Sequence, residues 1–347
     1  MVVDLKNVPY KNAVSLRCEF DSKQLSPIHG HFGGLYDESG SYIIGSSLYR
    51  MGSIPVVYGH SKPFESEEAR LTGRSLFAGP LFNHFGHFML ESLSRLWDVA
   101  SGSYDHIVFQ SPEDRDGTFS DYQQCILEQI DALEKVVVLS RPTRFDEIFV
   151  PTPSLMIGTY ANPEYAAIFD RLRVRHRQVE SCGELRIYLS RTRLDRGKTV
   201  GEQSLQAAFV ACGYQVVYPE EISFNEQINL FSAASHVAGI QGSAFHNTVF
   251  CRPGTETIMI VRENYSMVDF KNIDICQSLN PIYIYDVMED FEEFPPTHAQ
   301  GPYCLSLDKL REKFIEQGLC EVASNLKGPS STALKDEFAC EWHRVRS

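Results

Sequence analysis

The sequence predicts an α/β protein made of two Rossmann-like halves, and three observations lead there. The chain has 347 residues, which at roughly 100 to 200 residues per domain suggests two domains, each with a real core. From Ser75 onward, short and nearly continuous apolar segments alternate with helix-like ones, the pattern of parallel strands covered on both faces. A second series of the same kind begins at Leu185, so the halves join near residue 180.

Taken in order, the first eighty residues carry the weakest pattern. Ser41 to Arg50 and Ser53 to Tyr58 read as short strands between glycine turns, and His29-Gly-His31-Phe-Gly-Gly34 reads as a loop. Then come the apolar stretch from Ser75 to Phe82, a helix from about Phe85 to Ala100 and the strand His106 to Gln110. A helix from Asp121 to Leu133 and strands at Lys135 to Leu139 and Glu147 to Val150 complete the first series. Pro163 to Glu180 reads as a long charged helix that ends at Cys182-Gly183.

The second series has strands at Leu185 to Ser190, Gln215 to Tyr218, His236 to Ile240, Glu256 to Val261 and Ile282 to Tyr285. Helices lie between them at Glu202 to Cys212, Asn225 to Ser235, Phe245 to Phe250 and Val268 to Leu279. Asp286 to Pro302 reads as a linker and Ser306 to Gln317 as a terminal helix. The expected domains are residues 1–180 and 181–290, with 291–347 as linker and C-terminal helix or tail.

With 43% hydrophobic and 22% charged residues the composition is that of a globular protein rather than a disordered one. Thirty-two Lys and Arg against 45 Asp and Glu give a net charge of -13, which repels nucleic acid and anionic lipid. A few arginines in a cleft can still hold a small phosphorylated ligand. No apolar run reaches the roughly 20 residues of a membrane span, and the start, with Asp4 and Lys6, lacks a signal-peptide core. A cytoplasmic protein is expected. Nine cysteines without a CxxC pair argue for free thiols rather than a disulfide framework or zinc ribbon.

Three constellations could carry chemistry. In Asn83-His-Phe-Gly-His87-Phe-Met-Leu-Glu91-Ser-Leu-Ser-Arg95, helical spacing sets an apolar stripe of Phe88, Met89, Leu93, Leu96 and Trp97 apart from a polar face of His87, Glu91, Arg95 and Asp98. His87 and Glu91 are then neighbours, with the carboxylate as candidate general base for a sugar hydroxyl and His87 as its orienting partner, or the reverse. Tyr188-Leu-Ser190-Arg191-Thr-Arg193 lies at the carboxyl end of a strand, where open α/β sheets bind ligands, and so places Arg191 and Arg193 to meet phosphate. Gly239-Ile-Gln241-Gly242-Ser243-Ala244-Phe245-His246-Asn247 is a strand, a glycine turn and a helix start, whose N–H groups suit an anion. It matches neither GxGxxG nor the Walker pattern.

Weaker features are His29 and His31, which lack a third metal ligand, and Asp114-Arg-Asp116, a DxD set in a turn-forming segment. Arg171 to Arg177 is the one basic run, explained by a solvated helix, and no GxSxG elbow is present. No metal site is expected.

The second and third constellations, with Glu202, Phe209 to Tyr214, Glu220, Ile222-Ser223, Glu226-Gln227, Leu230-Phe231, Asn247, Phe250 and Pro253-Gly254, resemble the catalytic domain of glycosyltransferase family 61. Gly86-His87-Phe88, Glu91 and Arg95-Leu-Trp97 resemble that family's N-terminal signature, so that the resemblance covers about residues 75 to 265. It implies the GT-B fold, two Rossmann-like domains facing across a cleft, and inverting transfer from a UDP-sugar to a glycan or glycolipid acceptor. It further implies a bacterial enzyme of capsule, lipopolysaccharide or exopolysaccharide assembly, which a lipid-linked acceptor would bring to the membrane.

By the same resemblance Arg191, with Arg193, would hold the diphosphate and Gly242 and Ser243 would cradle it. Glu220, His246 and Asn247 would lie near the nucleotide, and His87 and Glu91 on the acceptor side. One departure stands out: the family often has His-Gly-Ala where this chain has Gln241-Gly242-Ser243, and Gln cannot become cationic. Phosphate stabilisation would then rest on Arg191 and the helix start, without a cofactor or metal. Two competing readings use the same parts: a UDP-sugar epimerase, which would turn over donor alone, and a non-catalytic nucleotide-sugar-binding subunit. Nothing in the sequence sets an oligomeric state.

Overall fold

The computed structural model describes residues 3–16, 18–20, 30–59, 69–100, 102–111, 118–175, 184–263, 267–295 and 301–346. They form a mixed α/β protein of two units, Met1–Arg175 with Ser266–Cys276, and His176–Tyr265 with Gln277–Ser347.

In the first unit the apolar runs become parallel strands. Val136–Leu139, His106–Gln110, Ala69–Pro80 and Thr143–Pro151 lie side by side, all parallel, and Leu76, Phe77, Ile107, Val108 and Phe109 are each 0% exposed. Consecutive buried residues mean that both faces of these strands are covered. The N-terminal segments alter the expected wholly parallel pattern. Asn7–Lys11 and Val14–Ser15 pair antiparallel with Thr143–Pro151, and Leu35–Tyr36 pairs antiparallel with Val14–Ser15. A further sheet joins Glu19–Phe20, His31–Phe32, Ile54–Tyr58 and Leu48–Arg50 in that order. In it His31–Phe32 and Ile54–Tyr58 run parallel and the outer pairs antiparallel, and antiparallel segments this short need no crossover helix.

The helix expected over residues 85 to 100 is broken. Phe85–His87 passes into a π-helical turn at Phe88–Ser92, with the Leu93 N–H reaching back to the Phe88 carbonyl at 3.2 Å, and Leu96–Asp98 forms a separate 3-10 turn. Every residue from Phe88 to Leu96 is buried, so the stripe and polar face anticipated from helical spacing do not form. Neighbouring elements hold the turn instead. Tyr165, on the helix Pro163–Arg175, donates to the Met89 carbonyl at 2.9 Å, and the Ser154 hydroxyl donates to the Ser94 carbonyl at 2.7 Å.

The second unit has a five-stranded, wholly parallel sheet of Leu185–Leu189, Gln215–Val217, Ala234–Ile240, Glu256–Ile260 and Asn280–Ile284. Its spatial order is second, first, third, fourth, fifth, so the winding reverses between Leu185–Leu189 and Ala234–Ile240. Such a switch point is where open α/β sheets leave a crevice at the carboxyl ends of their strands. The helices Glu202–Ala211 and Phe224–Ala233 make the crossovers around Gln215–Val217. The second starts at a capping box, with Ser223 N–H donating to Glu226 Oε2 at 2.8 Å and Glu226 N–H to Ser223 Oγ at 3.3 Å. Between the fourth and fifth strands the chain forms the helix Met267–Gln277, most of which belongs to the first unit.

The C-terminal residues are part of the second unit's core rather than a tail. Leu310, Phe314, Val322, Leu334 and Phe338, from the helices Leu307–Glu316, Cys320–Asn325 and Ser331–Arg346, share one apolar cluster with Tyr188, Phe209 and Ile258.

Candidate functional site

In the first unit the chemistry gathers around His87. Arg50, at the end of Leu48–Arg50, donates to both oxygens of Glu91, Nε to Oε1 at 2.8 Å and Nη2 to Oε2 at 2.7 Å. The two side chains are 6% and 1% exposed. His87 Nδ1 lies 2.9 Å from Glu91 Oε2 and 3.3 Å from Arg50 Nη2, so the shorter contact assigns its proton to Nδ1, donated to the carboxylate. His87 Nε2 is left as the acceptor, on a ring 30% exposed. The expected exposed carboxylate is therefore a buried one, and the ring is what faces outward. Burial pushes the Glu91 carboxyl up, but the hydrogen bonds from His87 and Arg50 and the charge of Arg50 outweigh it and hold the group below the usual range.

Asp269 joins this cluster from the first turn of Met267–Gln277. Its Oδ1 accepts the Gly158 N–H at 2.7 Å, and burial raises its carboxyl to about 6, opposed by that hydrogen bond and reinforced by the charge of Glu91. Gly158 has φ +70, a left-handed backbone that favours glycine, and a side chain there would meet Met51. Arg95, expected beside His87 and Glu91, points elsewhere: it is 1% exposed and donates to the carbonyls of Ser47, at 2.7 Å, and Pro151. It is a tie within the core.

In the second unit the switch point places Arg191, two residues beyond Leu185–Leu189, against Gly242, two residues beyond Ala234–Ile240. A side chain at 242 would collide with the Arg191 guanidinium. Arg191 Nη2 donates to the Gly197 carbonyl at 3.4 Å, and Arg262 Nη1 donates to the same oxygen at 3.0 Å. Burial, then the neighbouring charge of Arg262, lowers Arg191 to about 10. Glu202, 1% exposed, accepts the Arg191 main-chain N–H at 2.7 Å. Its carboxyl is raised to about 7 by burial, against the opposing pull of that bond and of the arginines.

The other residues anticipated around the nucleotide spread out. Arg193 stacks on Tyr218, 3.8 Å from the ring centroid, and pairs with Glu221. Glu220 lies close enough to Arg191 to act on its charge. Ser243 opens the 3-10 segment Ser243–Phe250, in which His246 and Asn247 are buried and Asn247 Nδ2 donates to Gln227 at 2.8 Å. Gln241 is 3% exposed and binds the main chain of Arg262 and Glu263.

Arg50, Asp269 and Arg262 were not singled out in the sequence. Their only sequence signal is position just after or within an otherwise apolar segment. Among the described residues no group of three His, Cys, Asp or Glu side chains could hold a metal, and no helix is long and apolar enough to cross a membrane. His31 is buried at the start of a short strand. His29, Arg177 and the Asp114 to Asp116 motif lie outside the described residues.

Residues 85–258, half of the chain, match the family model described as Glycosyltransferase 61. No curated protein matches the chain. The matched stretch contains His87, Glu91, Arg191 and Gly242, whereas Arg50, Arg262 and Asp269 stand outside it.

Proposed function

The chain belongs to glycosyltransferase family 61, and from that premise we propose that it moves a sugar from a UDP-sugar to a hydroxyl of a glycan acceptor with inversion. The observation that carries this reading is Arg191 lying against Gly242 at the switch point of a parallel sheet. A guanidinium and the N–H groups that open Ser243–Phe250 suit the diphosphate that leaves during transfer. Two Rossmann-like units, no metal, and a role in polysaccharide assembly on the cytoplasmic side belong to the same reading.

Single displacement needs a base for the acceptor hydroxyl. His87 takes that role, because its Nε2 carries the lone pair while Nδ1 is bound to Glu91. As the proton arrives, the ionised Glu91 stabilises the imidazolium, and Arg50 keeps that carboxylate ionised and aimed. Glu91 is thus the orienting partner.

The test is to incubate the protein with a panel of UDP-sugars, with and without an oligosaccharide acceptor, and to follow UDP release and the anomeric configuration of the product by NMR. Acceptor-dependent release with inverted configuration supports the proposal. Sugar interconversion without acceptor would make the protein an epimerase, and binding without turnover a non-catalytic subunit.

A further inference from the structure

We propose that Arg262 is the second arm of a two-arginine clamp for a diphosphate, set in place by the Gln241 side chain; this rests on the donor-site reading of Arg191. Arg262 follows Glu256–Ile260 by two residues, at the carboxyl end of the strand that pairs with Ala234–Ile240. The main-chain N–H groups of Arg262 and Glu263 both donate to Gln241 Oε1, at 2.8 and 2.9 Å. Gln241 Nε2 donates in turn to the Glu263 carbonyl at 2.9 Å. One neutral amide, with its acceptor and donors in a fixed plane, therefore pins two consecutive residues of the turn.

From that turn the Arg262 guanidinium passes over the Tyr303 ring, 4.5 Å from the centroid, and reaches the carbonyl of Gly197 that Arg191 also contacts. Two guanidinium groups on one neutral oxygen repel each other, and the carbonyl supplies only part of a compensating charge. The nearby acids Glu202 and Glu220 offset this on Arg191 only in part, since burial and the charge of Arg262 still lower it, and Glu202 Oε1 is taken by the main-chain N–H of Arg191. Among the described residues Arg191 Nε is buried without a hydrogen-bond partner.

Both features call for an anion with more than one charge and several acceptor oxygens. A carboxylate brings a single charge, whereas a diphosphate brings two or more and can accept from both forks. Gln241, whose side chain is occupied with the main chain, then acts as a positioning residue rather than as a ligand of the nucleotide.

The experiment is calorimetry on the full chain with inorganic pyrophosphate and with UDP, comparing wild type, R191A, R262M, R262K, Q241A and Q241A/R262M. We expect R262M to weaken both ligands tenfold or more and R262K to recover part of the loss. Q241A should weaken binding by a smaller factor and add nothing in the R262M background. The ligand-free melting temperature of R262M should equal or exceed that of wild type, because removing one charge relieves the repulsion, and a purely structural arginine would not behave so. Wild-type pyrophosphate affinity in R262M together with loss in R191A overturns the second arm while leaving the donor site standing. Undiminished UDP binding in both R191A and R262M overturns the donor-site reading itself. Additive losses in the double variant overturn the role of Gln241.

Discussion

Arg50 and Glu91, 41 residues apart in the chain, meet as a two-pronged ion pair of 2.8 and 2.7 Å with almost no solvent around either side chain. Breaking such a pair from one side leaves a buried charge uncompensated, which costs about 3 to 5 kcal/mol. Glu91→Gln should therefore lower stability by that order in urea denaturation, in addition to slowing turnover.

His87→Ala leaves the pair intact. Its melting temperature should stay near that of wild type and UDP affinity should be unchanged, while kcat falls about 10²- to 10⁴-fold, the usual contribution of a positioned base. Retention of most turnover in this variant would remove His87 as the base.

Arg95→Ala offers a contrast within the same stretch. The Ser47 and Pro151 carbonyls would lose their donor inside the core, and the vacated volume would add to the loss. A fall of about 3 kcal/mol or more is expected by urea denaturation, with calorimetry showing unaltered UDP affinity for the folded fraction.

The second unit was the more legible of the two, because its strands are nearly all apolar, as the burial of Val237, Ala238 and Ile240 illustrates. There local pattern and tertiary burial agree. The segment from Phe85 to Asp98 has the spacing of an amphipathic helix, yet Phe88 to Leu96 are all buried, with Tyr165 and Ser154 holding the turn from neighbouring elements. Tertiary packing overrides periodicity in such a place. Pairings such as Arg50 with Glu91, or Arg191 with Arg262 on Gly197, join residues far apart in the chain, and no local spacing encodes them. The C-terminal helix Ser331–Arg346 buries only Leu334 and Phe338, too thin a stripe to stand out.

Gly242→Ala tests the donor site sterically. Residue 242 has φ -178, extended backbone that any residue adopts, so the added methyl should act on the Arg191 guanidinium rather than on the chain. UDP affinity should fall tenfold or more, about 1.4 kcal/mol, with little change in melting temperature. Calorimetry and thermal unfolding on the same sample decide it.

Glu202 supplies a pH dependence. Its folded value of about 7 lies above its ordinary 4.5, so the folded chain keeps a proton that the unfolded chain has lost. That contribution to stability is complete below 4.5 and disappears as pH rises through about 7, a change of about 3 kcal/mol. Glu202→Gln does not titrate and can still accept the Arg191 N–H, so its stability relative to wild type should increase between pH 5 and pH 8. Urea denaturation across that range measures it, and a constant difference would count against the assignment.

Turnover should persist in EDTA if arginines and main-chain N–H groups stabilise the departing diphosphate. A UDP-release assay in chelator checks this. Complete loss that returns with added divalent cation would show that a metal carries that charge.

The helix Met267–Gln277 interrupts the second sheet's sequence between its fourth and fifth strands and gives Asp269 to the first unit. During synthesis, then, the first unit cannot be completed until most of the second has been made. The first lacks Asp269 and its helix until the fourth strand of the second has already been made, and the second gains its last strand only afterwards. A fragment ending at Arg175 would leave the ribosome as an incomplete first unit, so the two units are bound to a shared order of folding that the chain's path dictates.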